Sequence, residues 1–471
     1  MIVFRGLAPS FSRLNLFSLS SFILYLVSLP IISLAYQSIE PILVINLFFF
    51  TFSSLLYLIC GRRNFDDLIS TIFIFNICLF WSAIGSIYLN VFDDLQYKGA
   101  DSGFFLELAR GKYFENPILF GSNFYDGIGA VNFWKIFYDF FSSIGFSKAP
   151  YIGVTINTMF VSLSGLFSLK IVKILYPQDD DRYIRFILLF SSCGLFMLFA
   201  ALHLRDAFIL FFVTLQAFAW VKFIDKKNLI NFLLLLSISF VSSYALLYLR
   251  AEFLALSFGF FLAFLVSYLL TNNLSAIRRS LLTFFLSSIG LIALILIFNN
   301  SSTFTDLISA SNLYAEAGKG SGSLGYDLII SQPLPIRLLL GSLMLFIMPI
   351  PVWSGIEMNS IYFLFKSLNA VYFYFMIPLI LLSLFNFYAF RGIRNEQNYF
   401  LLFCILGFTS VVVLTSSENR HIGSFLPLFL LFSLIPSFNN RKEIKNYITL
   451  FLLFFSFILL LHSLWILIEY L

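Results

Sequence analysis

Three short segments place an arginine beside an acid: HLRDA at His203–Ala207, LRAEF at Leu249–Phe253 and SSENRHIG at Ser416–Gly423. Arg205 precedes Asp206, Arg250 stands two residues before Glu252, and Arg420 two residues after Glu418. Two of the segments also carry a histidine, His203 and His421, out of three in the chain. Arginine stays charged at any physiological pH, and its planar fork pairs with phosphate oxygens through parallel hydrogen bonds. Three guanidiniums converging at one depth would suit a ligand with several negative oxygens, a diphosphate above all. Glu418, Asp206, Glu252 or His421 could accept a proton beside it. The competing reading is structural: an arginine beside an acid at a helix end can be a neutralised pair that reaches to the interface.

A second set of candidates lies in DDLQYKGADSGFFLELARGKYFENPILFGSNFYDG, the most polar stretch of the chain. Asp93 and Asp94 follow an apolar segment directly, and Asp101 is close behind. A carboxylate there could hold or deprotonate a sugar hydroxyl. Arg110, and Arg337 further on, add cations for substrate binding. Glu107, Glu115, Asp126 and Asp139 read as solvated loop charges. The adjacent Asp93 and Asp94 hint at a divalent metal, but no second carboxylate cluster or histidine accompanies them, so no metal ligand is expected. Tyr97, Phe104, Tyr113 and Trp134 could stack on sugar faces, although a chain that is 20% aromatic makes such neighbours common. His462 lies alone in FILLLHSLWILI and reads as a satisfied core or interface histidine. The four cysteines stand singly in or beside apolar runs, without CxxC or Cys/His spacing, which supports neither a disulfide framework nor zinc.

These residues must be held by membrane-embedded elements. The chain is 60% hydrophobic and 11% charged, with mean hydropathy +0.93; soluble domains carry about 25% charge. A span needs about 20 apolar residues, and such runs recur from end to end. The expected fold is all-α: a polytopic helix bundle forming one integral membrane domain over 1–471. Spans are expected at 15–36, 39–60, 68–92, 151–176, 186–202, 207–224, 229–249, 253–271, 281–298, 369–390, 399–416, 423–438 and 447–469, about thirteen in all. The first contains Pro30 and lacks a small-residue cleavage site, so it reads as a retained helix.

Lys and Arg flank alternate loops: Arg5 and Arg13, Arg62 and Arg63, Arg182 and Arg185, Lys226 and Lys227, Arg278 and Arg279, Arg391 and Arg394, then Arg441, Lys442 and Lys445. Positive charge marks the cytoplasm, which puts the N-terminus inside. The net charge of +5 is thereby mostly topological, and nucleic acid is not an expected partner. All three arginine–acid segments then fall on the outer side, where short loops disfavour arginine. Two long outer loops are expected, at 93–150 and 299–368. The first should hold a short amphipathic helix near Gly103–Arg110 and a surface-lying one near Val131–Ile144. The segment 337–355, IRLLLGSLMLFIMPIPVWSG, contains Pro349 and Pro351 and fits a re-entrant or interfacial element better than a span. No P-loop is present.

With its many spans, two long outer loops and late R-H-x-x-x-x-x-P turn, the chain resembles bacterial polysaccharide repeat-unit polymerases of the O-antigen (Wzy) type. More broadly it resembles the GT-C glycosyltransferase superfamily that includes O-antigen ligases. The residues that carry the likeness are DDLQYKGADSGFFLELARG, HLRDAFILFF, SQPLPIRLLLGSLMLFIMPIPVW and NRHIGSFLPLFLLF. The resemblance implies a metal-independent, cofactor-free and usually inverting transfer at the outer face of a bacterial inner membrane. The donor would be a polyprenyl diphosphate-linked oligosaccharide and the acceptor a hydroxyl of another lipid-linked glycan; a chain-length regulator protein is a further implied partner. It assigns the diphosphate to Arg205, Arg250, Arg420 and His421. The second long loop departs from the pattern, being glycine-rich with Lys319 and Arg337 in place of an arginine-rich motif.

Two alternatives use similar chemistry. A GT-C transferase that takes a polyprenyl monophosphate sugar relies on an acid after the first span, whereas three spans precede Asp93. A lipid-linked oligosaccharide flippase would want binding groups near the midplane and internal repeats. Neither is evident, and Lys170 and Lys173 near the inner end of the fourth span fit snorkelling side chains.

Overall fold

The computed structural model describes residues 11–61, 64–92, 101–111, 128–250, 254–271, 334–357, 360–415, 419–438 and 440–470. Every regular element among them is helical. Nine of these helices are long and apolar enough to cross a membrane, or ten if one bent pair counts as a span. The chain thus has the make-up of a multi-pass helical membrane protein. Contacts divide it into two compact units: Met1–Leu254 with Trp353–Tyr372, and Ala255–Val352 with Phe373–Leu471.

The first unit contains α1 (Phe11–Tyr36), α2 (Glu40–Cys60), α3 (Phe65–Asn90), α4 (Asp101–Ala109), α5 (Ile128–Ser143), α6 (Tyr151–Leu175), α7 (Asp180–Ser191), α8 (Gly194–Ala201), α9 (Asp206–Asp225) and α10 (Leu229–Leu249). Local chemistry explains several boundaries. Pro41 sits in the first turn of α2, where a missing N–H costs nothing. Gly61 ends that helix with φ of 65°, a conformation that suits glycine. The Asp179 carboxylate accepts the Arg182 N–H at 3.0 Å to cap α7, and the Asn228 amide oxygen accepts the Asn231 N–H at 2.8 Å to cap α10.

α3 is the hub, packed against α1, α6 and α8, while α6 also packs on α9. Small and polar residues permit the close approach. Ser82 of α3 donates to the Ala200 carbonyl at 3.2 Å, and Asn76 donates to the Ser21 hydroxyl at 2.7 Å. α10 is peripheral, with most of its apolar surface outward.

The second unit contains α11 (Leu254–Thr271, from Ala255), α12 (Leu334–Ile347), the later part of α14 (Ile361–Ala389), α15 (Glu396–Thr415), α16 (Asn419–Gly423), α17 (Leu426–Phe432) and α18 (Arg441–Tyr470). A one-turn helix, α13 (Ser354–Glu357), precedes α14. Aromatic contacts join these elements: Phe260 to Phe408 at 5.1 Å, Phe408 to Phe425 at 4.5 Å, and Phe346 to Phe373 at 4.6 Å. His462 is buried and satisfied, as its apolar setting suggested. Its Nδ1 donates to the Ile458 carbonyl at 2.8 Å, and its Nε2 accepts the Val352 N–H at 3.2 Å.

Several spans differ from their expected extents. The segment 186–202 is not one straight helix: α7 and α8 meet at a 54° bend across Ser192 and Cys193. The segment 423–438 begins at the end of α16 and holds only the short α17, with Pro427 in its first turn and Pro436 beyond its end. α14 begins at Ile361, well before 369. The segment 337–355 holds the short helix α12, which stops at Ile347 just ahead of Met348-Pro349, as the residue before proline resists helical geometry. At 14 residues it is about 21 Å long, short of the roughly 30 Å hydrocarbon core. The expected span at 281–298 and the loop up to 333 lie outside the described residues.

Candidate functional site

One end of the first unit gathers most of the sequence-predicted residues that are described. The HLRDA segment joins α8 to α9, and its backbone is non-helical from Leu202 to Leu204. Arg205 immediately precedes α9 and places its guanidinium against two other elements. Its Nη1 donates to the Leu249 carbonyl at 3.1 Å, and its Cζ lies 5.7 Å from the centre of the Phe105 ring. The first contact satisfies a carbonyl at the C-terminus of α10, where helices favour cations. The second is a cation–π contact with α4. Arg250 follows Leu249 directly as the cap of α10, and its backbone N–H bonds the Leu246 carbonyl at 2.7 Å. The structure therefore brings the Arg205 and Arg250 turns together, 45 positions apart in sequence.

The segment between α3 and α6 contributes α4 and α5. Asp101 begins α4, where a carboxylate favours the positive helix end. Arg110 follows the last turn; its Nη1 pairs with Glu107 at 2.9 Å and its Nε donates to the Lys148 carbonyl at 2.7 Å. Asp139 pairs with Lys148 at 2.5 Å, which leaves it the loop charge it was expected to be. Nearby, Glu40 at the start of α2 accepts from Ser147 Oγ at 2.5 Å and from the Tyr151 hydroxyl at 3.1 Å.

α5 falls where the surface-lying helix was expected. Trp134, Tyr138 and Phe141 are buried on one face, and Ile136 and Phe140 are exposed on the other. Two aromatics on the buried face engage the HLRDA turn. The Tyr138 hydroxyl lies 2.6 Å from His203 Nε2. Trp134 Nε1 donates to the Asn157 side-chain oxygen at 3.1 Å, and the same amide donates to the Leu202 and Leu204 carbonyls at 2.7 and 3.2 Å. Trp134 is thus a wholly buried structural residue here, and its expected role as a sugar platform does not fit this position. His203 is equally buried, so its ring faces protein and supports the turn rather than presenting itself to a ligand. Burial, reinforced by the positive field of Arg110, pushes its pKa down to about 3.

Asp206 is 4% exposed, in the first turn of α9. Glu252 lies outside the described residues, as do Asp93, Asp94 and Glu418.

The second unit holds Arg420 and His421 in α16, a five-residue helix packed on α12 and α15. His421 is buried and Arg420 half-buried. Arg337 lies in the first turn of α12. Among the described residues, no group of three or more His, Cys, Asp or Glu side chains could hold a metal ion.

At the opposite end of the first unit, reading by hydropathy missed a buried carboxylate. Asp67, 1% exposed, pairs with Lys173 Nζ at 2.7 Å and accepts from the Tyr183 hydroxyl at 2.8 Å. Lys173 is therefore an ion-pair partner and not simply a snorkelling flank. The only local signal was an acid pair, Asp66 and Asp67, at the start of an apolar run.

Compared with known proteins, the chain matches no family model, no curated protein and no solved structure.

Proposed function

We propose that the chain is a membrane glycosyltransferase that polymerises a lipid-linked glycan on the outer face of a bacterial inner membrane. The donor is a polyprenyl diphosphate-linked oligosaccharide, and the acceptor a hydroxyl of a second lipid-linked unit. The observation that supports this most is the junction of Arg205 with the end of α10, which sets two arginines at one end of a helical unit beside α4.

Breaking a glycosyl–diphosphate bond develops negative charge on the leaving oxygens. Guanidiniums fixed in a water-poor setting stabilise that charge more in the transition state than in the ground state. A guanidinium carries five N–H donors, so a bond to the Leu249 carbonyl is compatible with phosphate recognition and also orients the group. Arg205 and Arg250 are assigned to the diphosphate. The acceptor hydroxyl loses its proton to an acid, Asp206, Glu252 or Asp101 being the candidates.

The test is complementation of a polymerase-null strain with Arg205→Ala and Arg250→Ala, reading glycan length on a gel. Each substitution should cost about 100-fold in rate and collapse the ladder to short products. Normal long chains in both, at normal protein levels, would overturn the assignment. Addition of a single sugar in place of a ladder would point to a monosaccharide transferase.

A further inference from the structure

Four residues from two helices enclose the backbone just ahead of Arg205. Trp134 and Tyr138 are one turn apart on α5, and Gly153 and Asn157 one turn apart on α6. Asn157 grips the carbonyls on either side of His203. Tyr138 grips the histidine ring itself. Gly153 completes the enclosure by being small: a Cβ there would sit 2.1 Å from His203 Nε2. Trp134, Tyr138, Asn157 and His203 are all fully buried.

We infer that Tyr138 is a positioning residue for Arg205, acting through His203. The phenol donates its proton to His203 Nε2 at 2.6 Å, which fixes the imidazole as the neutral form protonated on Nδ1. With the ring locked and the flanking carbonyls held by Asn157, the chain enters α9 along one path. Arg205, two residues beyond the lock, is thereby held against Phe105 and the Leu249 carbonyl. A guanidinium that stabilises a transition state must not reorganise as charge develops, and this enclosure supplies the rigidity. The inference rests on Arg205 binding a diphosphate. It assigns α5 a second-rank part in the same site, as its support.

The test uses the full chain in lipid nanodiscs with 15N-labelled histidine, since only three rings contribute signals. In the wild type, His203 should show a neutral ring with its proton on Nδ1, unchanged between about pH 8 and about pH 5. Tyr138→Phe should move the His203 Nε2 resonance, leave His462 in place, and weaken binding of farnesyl diphosphate about tenfold. Arg205→Ala should weaken binding at least as much with the His203 signal unmoved. A Tyr138→Phe variant with an unmoved His203 resonance overturns the inference, and so does a moved resonance with unchanged affinity. Wild-type protein that shows the locked ring but does not bind farnesyl diphosphate overturns the diphosphate reading, and the positioning role with it. Should Tyr138→Phe fail to fold, the wild-type titration decides alone: a His203 that protonates near the ordinary value of about 6.5 overturns the lock.

Discussion

The imidazole of His203 packs edge-on to Trp134 at 5.3 Å and bonds the Tyr138 hydroxyl, so a proton added there would be a charge without water. The nearby ionisable groups are Tyr138 on α5, Arg110 at the end of α4, and Arg205 and Asp206 on the same turn. Burial first, and Arg110 second, hold the folded pKa at about 3; the unfolded value is about 6.5. Between those two values the unfolded chain binds more protons than the folded one. Stability therefore falls as pH drops from about 6.5 toward 3 and is insensitive to His203 above that window. The thermal unfolding midpoint of the wild type should decline from pH 7 to pH 5, and His203→Asn should flatten that decline. Parallel curves for the two proteins would show that His203 is not the acid-sensitive group. The arginine beside an acid in HLRDA was legible in the sequence, because it is a charged step between two apolar runs. The lock around it was not: Tyr138 acts across 65 positions, and in a chain with 23 tyrosines and 64 phenylalanines no aromatic stands out.

At the level of helices, two glycines make opposite predictions. Alanine generally favours a helix over glycine by about 1 kcal/mol. Gly407 in α15 has open space where a Cβ would go, so Gly407→Ala should be neutral or stabilising. Gly153 in α6 would drive its Cβ into His203, and overpacking of that kind costs about 1–3 kcal/mol. Gly153→Ala should lower the thermal midpoint and Gly407→Ala should not; the same sign for both would refute the close approach of α6 to the turn. The ion pair joining α3 to α6 predicts an asymmetry of a different kind. Asp67 is buried, whereas the Lys173 side chain is 39% exposed. Lys173→Met leaves a buried carboxylate without its cation, while after Asp67→Ala the half-exposed lysine can turn to water and the Tyr183 hydroxyl keeps Ser70 at 3.2 Å. Lys173→Met should therefore destabilise at least as much as Asp67→Ala, as read by unfolding in detergent. Hydropathy located α10 to the residue, at 229–249, since its lipid-facing surface is apolar throughout. It could not find the α7–α8 bend or the break between α16 and α17, because a helix that turns inside protein keeps its apolar composition.

For the whole molecule, the packed ends of the first unit provide a test of orientation. Among the described residues, one end carries Glu40, Ser147, Arg110 and Arg205, while the other carries Asp67, Lys173, Tyr183 and the Asp179–Arg182 cap. α6 connects them: Ser143 lies shortly before its start and Asp180 shortly after its end. Its 25 residues give about 38 Å of helix, enough to cross the roughly 30 Å hydrocarbon core. The basic flanks Arg182, Arg185, Lys226 and Lys227 fall at the Asp180 end, so that end should face the cytoplasm and the arginine site the outside. All four native cysteines are buried, which makes them a quiet background for thiol labelling. Ser143→Cys, at an exposed position, should react with a membrane-impermeant maleimide in spheroplasts. Asp180→Cys, also exposed, should react only after the membrane is opened. Labelling of both in sealed spheroplasts would mean that α6 does not span the membrane. The reverse pattern would put Arg205 and Arg250 on the cytoplasmic side, where a polymerase of outward-facing lipid diphosphates cannot use them.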